Sequence, residues 1–275
     1  MDVGKAMRLG RLFRQGSGRS VIVAVDHGRG GEPEGLENLE RVLEAVVEAG
    51  ADALLLGPGA FIRYHRLLAG TGVGVVIAAD MRFTSTYRGG EYMGEAHHAA
   101  VNLEECAAMG VDAVKVLYVF GQEDVRSHAR NARLLAELVS QSWRWGVPVM
   151  VETVLWGPKV RERQTDGELL RHAARAGWEA GADLLKMALP GDRRVFASIT
   201  ARAPVPILVL GGPSAQRAVS VLEMAQDACA AGASGVVFGR NVWQHRDPAA
   251  MVRALCAVVH EGQSAAEAAR EAALE

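Results

Sequence analysis

Eight short apolar runs, each separated from the next by a longer amphipathic stretch, limit what this chain can fold into more than any other feature. The runs are Val21–Val25, Ala53–Leu56, Val75–Ala78, Ala113–Leu117, Pro148–Thr153, Leu184–Met187, Ile207–Leu210 and Gly235–Phe238. Each is nearly continuous in Val, Ile, Leu and Ala, which predicts strands covered on both faces, as in a parallel sheet. Between them, Leu36–Ala49, Ala99–Met109, Ala129–Trp145, Gly167–Ala180 and Ala218–Ala231 carry helical periodicity. Eight strands alternating with helices predict an α/β chain closed into a (βα)8 TIM barrel rather than an open sheet. A length of 275 residues suits one such barrel. No Pro/Gly/Ser-rich linker interrupts the pattern, so the expectation is one domain over residues 1–275. It has a short N-terminal segment and an Ala-rich helical tail after Gln263.

A weak internal repeat supports the same architecture. Ala49-Gly50-Ala51-Asp52-Ala53, Met109-Gly110-Val111-Asp112-Ala113, Ala180-Gly181-Ala182-Asp183-Leu184 and Ala231-Gly232-Ala233-Ser234-Gly235 each close a helix and open an apolar run. Glycine there supplies a left-handed helix cap, and the polar residue begins the turn into the next strand. These units place the second, fourth, sixth and eighth strands.

The charge balance excludes several classes of partner. A formal net charge of -2 offers no electrostatic case for nucleic acid or an anionic membrane surface. No apolar run has the length of a signal sequence or a bilayer span. Cys106, Cys229 and Cys256 are odd in number and far apart, which predicts neither a disulfide framework nor a metal knuckle. The expectation is a cytoplasmic protein in a reducing compartment.

Lysine is rare here, and that carries chemical information. Of 30 Lys plus Arg residues, only Lys5, Lys115, Lys159 and Lys186 are lysines. Arginine keeps its proton in a protein, whereas a buried lysine can be tuned to a free amine. Lys115 and Lys186 both sit inside apolar strands, at Val114-Lys115-Val116 and Leu184-Leu185-Lys186-Met187.

Active sites of such barrels lie at the C-terminal ends of the strands. That rule selects Asp26, Gly57, Asp80, Lys115, Glu152, Lys186, Gly211-Gly212 and Gly239-Arg240. Desolvation and a neighbouring cation would make Lys186 a nucleophile toward a carbonyl; a buried ion pair with Asp26 or Glu152 explains the position equally well. Lys115 fits either a second site cation or a paired strand lysine. Glu152 suits a proton shuttle or a lysine partner. Asp26 suits a general acid or base, although a lone strand-end Asp also serves to cap a loop. Asp80 is less informative.

Gly211-Gly212-Pro213-Ser214 and Gly239-Arg240-Asn241 follow the seventh and eighth strands, where barrels often bind phosphate through backbone N–H groups. Arg240 would add a bidentate charge. Each glycine pair alone could be no more than a tight turn; together, at these strand ends, they point to phosphate. His97-His98 read as a solvated pair at a polar helix start, Trp143, Trp145 and Trp178 as helix packing, and Arg82–Ala96 as a long connection or lid.

With these residues in place, the chain resembles the class I aldolases related to archaeal-type fructose-bisphosphate aldolase and bacterial tagatose-bisphosphate aldolase. The likeness runs from Val25-Asp26-His27-Gly28 to Gly239-Arg240-Asn241-Val242-Trp243-Gln244. It implies that Lys186 forms a Schiff base, that Asp26 takes part in proton transfer, and that Gly211, Gly212, Gly239 and Arg240 hold a substrate phosphate. Lys115 and Glu152 resemble the strand-four lysine and strand-five glutamate of the tagatose-bisphosphate branch. The catalytic Tyr of the archaeal-type motif is absent, since the corresponding stretch reads Leu155-Trp156-Gly157-Pro158.

The implied activity is metal-free aldol cleavage or formation in a phosphorylated ketose, with no cofactor beyond the covalent lysine, releasing dihydroxyacetone phosphate or an analogue. Related members imply transaldol or thiolase-like transfer as an alternative, and homo-oligomers as the assembly. A noncatalytic phosphosugar-binding barrel and a metal-dependent aldolase are the readings from other classes. Retention of Lys186 in a lysine-poor chain speaks against the former, and the lack of a His cluster against the latter.

Overall fold

The computed structural model of the chain describes residues 2–30, 33–84 and 95–274. Among the described residues ten strands form: β1 (Ser20–Ala24), β2 (Ala53–Leu56), β3 (Gly74–Ala78), β4 (Asp80–Thr84), β5 (Glu95–Ala99), β6 (Ala113–Phe120), β7 (Val149–Leu155), β8 (Leu184–Met187), β9 (Ile207–Leu210) and β10 (Gly235–Phe238). Eight of them close a barrel in the order β1-β10-β9-β8-β7-β6-β3-β2, every adjacent pair parallel. These are the eight apolar runs, so the expected (βα)8 barrel is the observed one. Helices α1 (Val3–Leu12), α2 (Leu39–Glu48), α3 (Pro58–Tyr64), α4 (Leu103–Ala108), α5 (Val125–Trp145), α6 (Gly167–Glu179), α7 (Arg193–Thr200), α8 (Ala218–Ala230), α9 (Arg240–Trp243), α10 (Pro248–Cys256) and α11 (Ala265–Glu271) complete the elements used below. Among the described residues, no helix is long and apolar enough to cross a membrane.

The differences from expectation have local causes. β6 and β7 run past their apolar segments because Tyr118, Val119 and Phe120 stay in register with Thr153, Val154 and Leu155. The helix expected over Ala99–Met109 begins only at Leu103, where the Asn102 side chain accepts from Glu105 N–H. The residues before it form β5, which pairs antiparallel with β4 in a hairpin outside the barrel, His97 opposite Arg82. His97 and His98 are therefore strand residues, and alternation buries the first while exposing the second. Trp143 is 69% exposed and packs little, contrary to its expected place in a helix interface. Of the Arg82–Ala96 connection read as a lid, which held Tyr87 and Arg88, residues 85–94 lie outside the described residues.

Pleating decides what fills the barrel. Ile22, Ala24, Ala53, Leu55, Val76, Ala78, Ala113, Met150, Leu184, Leu208 and Val237 form one buried interior cluster, and Leu9 and Leu12 of α1 close it from below. Side chains two residues apart share a face of a strand. Lys115 follows Ala113, Glu152 follows Met150, and Lys186 follows Leu184, each by two positions. All three thus point into the barrel, one layer above its apolar floor.

The repeat motif does more than turn the chain. Gly50, Gly110, Gly181 and Gly232 have φ of 89°, 77°, 103° and 93°, the left-handed values that favour glycine. The Asp that follows each of the first three glycines accepts a backbone N–H from the preceding barrel strand: Asp52 from Val21 (2.6 Å), Asp112 from Val75 (2.8 Å) and Asp183 from Val149 (2.9 Å). The same carboxylates pair with cations of the N-terminal segment, Arg14 with Asp52, Arg11 with Asp112 and Lys5 with Asp183. One segment thereby staples three strand–strand junctions at the bottom of the barrel.

Candidate active site

At the opposite end, five ionisable side chains converge. The Lys186 ammonium lies 2.8 Å from Glu152 Oε1, its neighbour in register across β7 and β8. Glu152 Oε2 is 3.3 Å from Lys115 Nζ, which also lies 3.4 Å from Asp26 Oδ2 and 3.8 Å from Asp80 Oδ1. Asp26 opens the 3-10 turn that follows β1. Lys115, Glu152 and Lys186 are only 4%, 6% and 6% exposed. Charges this deep are tolerated because each is paired, since an isolated buried charge costs several kcal/mol or more. Glu152 is the bridge, with one carboxylate oxygen for each lysine. The ion pair between Lys186 and Glu152 that sequence allowed is present, and it also places a proton acceptor beside the amine.

Two ammonium groups face three carboxylates in this cluster. The surrounding carboxylates let both ammonium groups sit away from solvent, and Glu152 lies within proton-transfer distance of the Lys186 nitrogen.

His27 sits at the rim, 3.5 Å from Asp26 through Nδ1 and edge-on to the Trp243 ring at a centroid distance of 5.4 Å. Burial is the main force lowering its pKa below 6.5; Asp26 and Glu152 oppose the shift, while Lys186 and Arg240 reinforce it. The two ends of the site are thus close enough for one imidazole to respond to both.

The glycine turns lie where sequence placed them. Gly212 has φ +66°, and Gly211 is packed so closely that a Cβ would sit 2.9 Å from the Asn241 amide nitrogen. Gly239 precedes α9, and a Cβ there would meet Ala24 O at 2.8 Å and His27 Cε1 at 2.9 Å. Arg240 donates to Gly212 O at 2.9 Å, while Asn241 donates to Gly211 O and accepts from Ala215 N–H, both at 2.8 Å. The two turns are tied into one unit. Within it, Arg240 Nε is buried with no hydrogen-bond partner among the described residues. An unused buried donor on a cation fits an anion better than a packing role.

All eight site residues expected from sequence therefore gather at one end of the barrel, the lysines with Asp26 and Glu152, the glycines with Arg240. Gly57, also selected by strand-end position, serves instead as the residue before Pro58 at the start of α3. Sequence reasoning underrated Asp80, which is 1% exposed and within reach of Lys115, and dismissed His97, whose Nδ1 is 3.8 Å from Asp80. The stretch Glu95-Ala96-His97-His98-Ala99 carries neither a strand nor a helix period, so the sequence holds no signal for this pairing.

Comparison with known proteins agrees with this geometry. Over 262 residues, the chain is 33% identical to the 2-amino-3,7-dideoxy-D-threo-hept-6-ulosonate synthase of Halobacterium salinarum, covering 94% of this chain and 93% of that protein. It is 31% identical to the 2-amino-4,5-dihydroxy-6-oxo-7-(phosphonooxy)heptanoate synthase of Streptomyces griseus, covering 93% and 90%. Among solved structures it superposes, with a TM-score of 0.80 and 27% identity over 93% of this chain and 99% of the other, on an archaeal fructose-1,6-bisphosphate aldolase. That enzyme was captured with its catalytic lysine bound to the carbinolamine intermediate of its substrate. Residues 20–245 match the model of the DeoC/LacD family aldolases, and the chain belongs to that family.

Proposed function

We propose that Lys186 is the Schiff-base residue of this class I aldolase and that its substrate is a phosphorylated ketose cleaved to dihydroxyacetone phosphate or an analogue. The observation that carries this reading is the Lys186–Glu152–Lys115 bridge, buried inside a barrel whose rim holds the Arg240 turn unit. The phosphate would rest against the Gly211–Gly212 and Gly239–Arg240 turns. Binding there supplies remote energy that fixes the ketone carbon near Lys186.

Chemistry then follows from the charges. The Lys186 amine attacks the C2 carbonyl, and the carbinolamine hydroxyl leaves as water after taking a proton from Glu152. The resulting iminium draws electrons from the C3–C4 bond, which breaks as the C4 hydroxyl loses its proton to Asp26 or Glu152. Lys115 steadies the oxygen that becomes the aldehyde. The enamine left on Lys186 is protonated at C3, and hydrolysis of the iminium returns the free amine. The cationic imine is the electron sink, so the route needs no metal. In this reading Glu152 and Asp26 take the proton-transfer duties, because Leu155-Trp156-Gly157-Pro158 lacks the tyrosine of the archaeal-type motif.

The 33% and 31% identities to two amino-heptulosonate-type synthases favour a second reading on the same residues, in which the enamine on Lys186 is passed to a different aldehyde. We place the protein in the cytoplasm, a reducing compartment in which three buried free thiols are stable, and expect it to work as a homo-oligomer.

The test is borohydride reduction in the presence of dihydroxyacetone phosphate, followed by digestion and mass spectrometry. A stable adduct on Lys186 supports the Schiff-base assignment, and adding aldehydes one at a time then separates the aldol from the transfer reading. Failure to trap an adduct with this ligand and with a panel of ketose phosphates would overturn it. Activity abolished by EDTA would move the reaction to a metal.

A further inference from the structure

We propose that Asp80 and His97 are positioning residues for Lys115, holding its ammonium where it meets the oxygen of the breaking or forming C–C bond. The inference rests on the aldolase reading and adds two residues to it. Lys115 is a flexible four-carbon chain bearing a strongly hydrated charge, so left alone it would not keep one position. Three carboxylates surround it, at 3.3 Å (Glu152), 3.4 Å (Asp26) and 3.8 Å (Asp80). Two of these also serve the reacting centre: Glu152 touches Lys186, and Asp26 stands beside His27 at the rim. Asp80 instead accepts a backbone N–H of β6.

The Asp80 carboxylate is built into the backbone. β3 ends at Ala78 and last bonds β6 when Ala79 N–H donates to Lys115 O at 2.8 Å. The next inward N–H of β6, on Leu117, has no β3 partner and donates to Asp80 Oδ2 at 3.1 Å. Asp80 thus continues the sheet with its side chain, which fixes the carboxylate relative to the strand that carries Lys115. Behind it, on the hairpin strand β5, stands His97, with Nδ1 3.8 Å from Asp80 Oδ2. The Gln122 amide lies 3.2 Å from the other ring nitrogen of His97. Gln122, His97 and Asp80 are all nearly excluded from solvent, where electrostatic contacts between neighbouring groups are screened little and hold side chains in place.

A position this fixed matters because misplacing a reacting or polarising group by about 1 Å costs on the order of a hundredfold in rate. Schiff-base formation at Lys186 needs Glu152 and does not need Lys115 in one place. The bond-making step, in which an aldehyde oxygen meets Lys115, does. Asp80 and His97 are therefore expected to act on that step alone and to act through Lys115.

A double-mutant cycle tests this. Wild type, Asp80→Asn, Lys115→Met and Asp80→Asn/Lys115→Met are compared in two assays. One is borohydride trapping with dihydroxyacetone phosphate; the other is condensation of dihydroxyacetone phosphate with glycolaldehyde, acetaldehyde or glyceraldehyde 3-phosphate. The expected result is condensation kcat about tenfold to a hundredfold lower in Asp80→Asn, trapping within about threefold of wild type, and no further loss in the double variant beyond Lys115→Met, as for residues that act as a unit. His97→Asn with the same Lys115→Met partner provides a second cycle should Asp80→Asn fold poorly. Losses that multiply in the double variants, trapping that falls in step with condensation, or undiminished condensation in both single variants would each overturn the proposal. A wild-type protein that traps no adduct would instead refute the aldolase reading, and this inference with it.

Discussion

Replacing Lys5 with Met should loosen the barrel from below, and the structure sets the size of the effect. Lys5 Nζ lies 3.0 and 2.9 Å from the two oxygens of Asp183, with side-chain exposures of 6% and 15%. Methionine keeps the apolar stem of lysine and deletes the charge, leaving Asp183 with one described donor, Val149 N–H at 2.9 Å. Breaking a buried pair from one side costs about 3–5 kcal/mol, and because water can reach part of Asp183 we expect about 2–3 kcal/mol. With a urea m-value of about 3 kcal/mol per molar, that lowers the unfolding midpoint by roughly 0.7–1 M. The Lys5→Met/Asp183→Asn variant removes both charges, and its amide oxygen can still accept from Val149. It should recover about 1–2 kcal/mol relative to the sum of the single variants. Urea unfolding followed by circular dichroism measures all four species. A loss under about 0.5 kcal/mol for Lys5→Met, or single-variant effects that simply add, would refute the view that this pair ties α1 to the barrel.

Other consequences concern the site and the thiols. Arg240→Ala removes the cation of the turn unit and should raise KM for a phosphorylated substrate about tenfold to a hundredfold, the worth of a charged hydrogen bond, with no comparable gain for its unphosphorylated analogue; equal effects on both would remove the phosphate from this place. Burial, reinforced by Lys186 and Arg240, keeps His27 neutral below its usual pKa of 6.5. Between that lowered value and 6.5 the unfolded chain binds more protons than the folded one. Stability should therefore fall as pH drops through 6.5, and His27→Asn should flatten that slope in a pH series of urea midpoints; an unchanged slope contradicts the assignment. Burial pushes the Cys106 and Cys256 thiols up to about 11, and Cys229 upward as well. None should react with a disulfide reagent at pH 8 until the protein unfolds, and rapid native labelling of any would show that its surroundings open.

The barrel strands are legible in the sequence because they rest on local information. A run such as Ala53–Leu56 is apolar on every residue, so it must be covered on both faces wherever it ends up. The Gly-x-Asp repeat likewise encodes its own turn, and the scarcity of lysine singled out Lys115 and Lys186 before any neighbour was known. Helix starts were less legible: Val125 and Leu103 open their helices because Asp124 and Asn102 cap them, and competing polar residues nearby blur that signal.

What sequence alone determined, then, was where the eight barrel strands lie along the chain, their burial on both faces, and the residue types that reach the rim. Tertiary structure decided which charges meet. Glu152 bridges the two lysines because barrel closure sets β7 between β6 and β8, with Glu152 in register with Lys186. Asp80 and His97 join them because a hairpin outside the barrel folds back beside the end of β6. Lys5, Arg11 and Arg14, scattered in a segment with no strand signal, find Asp183, Asp112 and Asp52 only when α1 seals the barrel floor. The physical reason is range. Periodicity and turn chemistry act over a few residues and are written in the chain, whereas Coulomb pairing between positions tens to more than a hundred residues apart depends on strand order and register, which exist only once the barrel has closed.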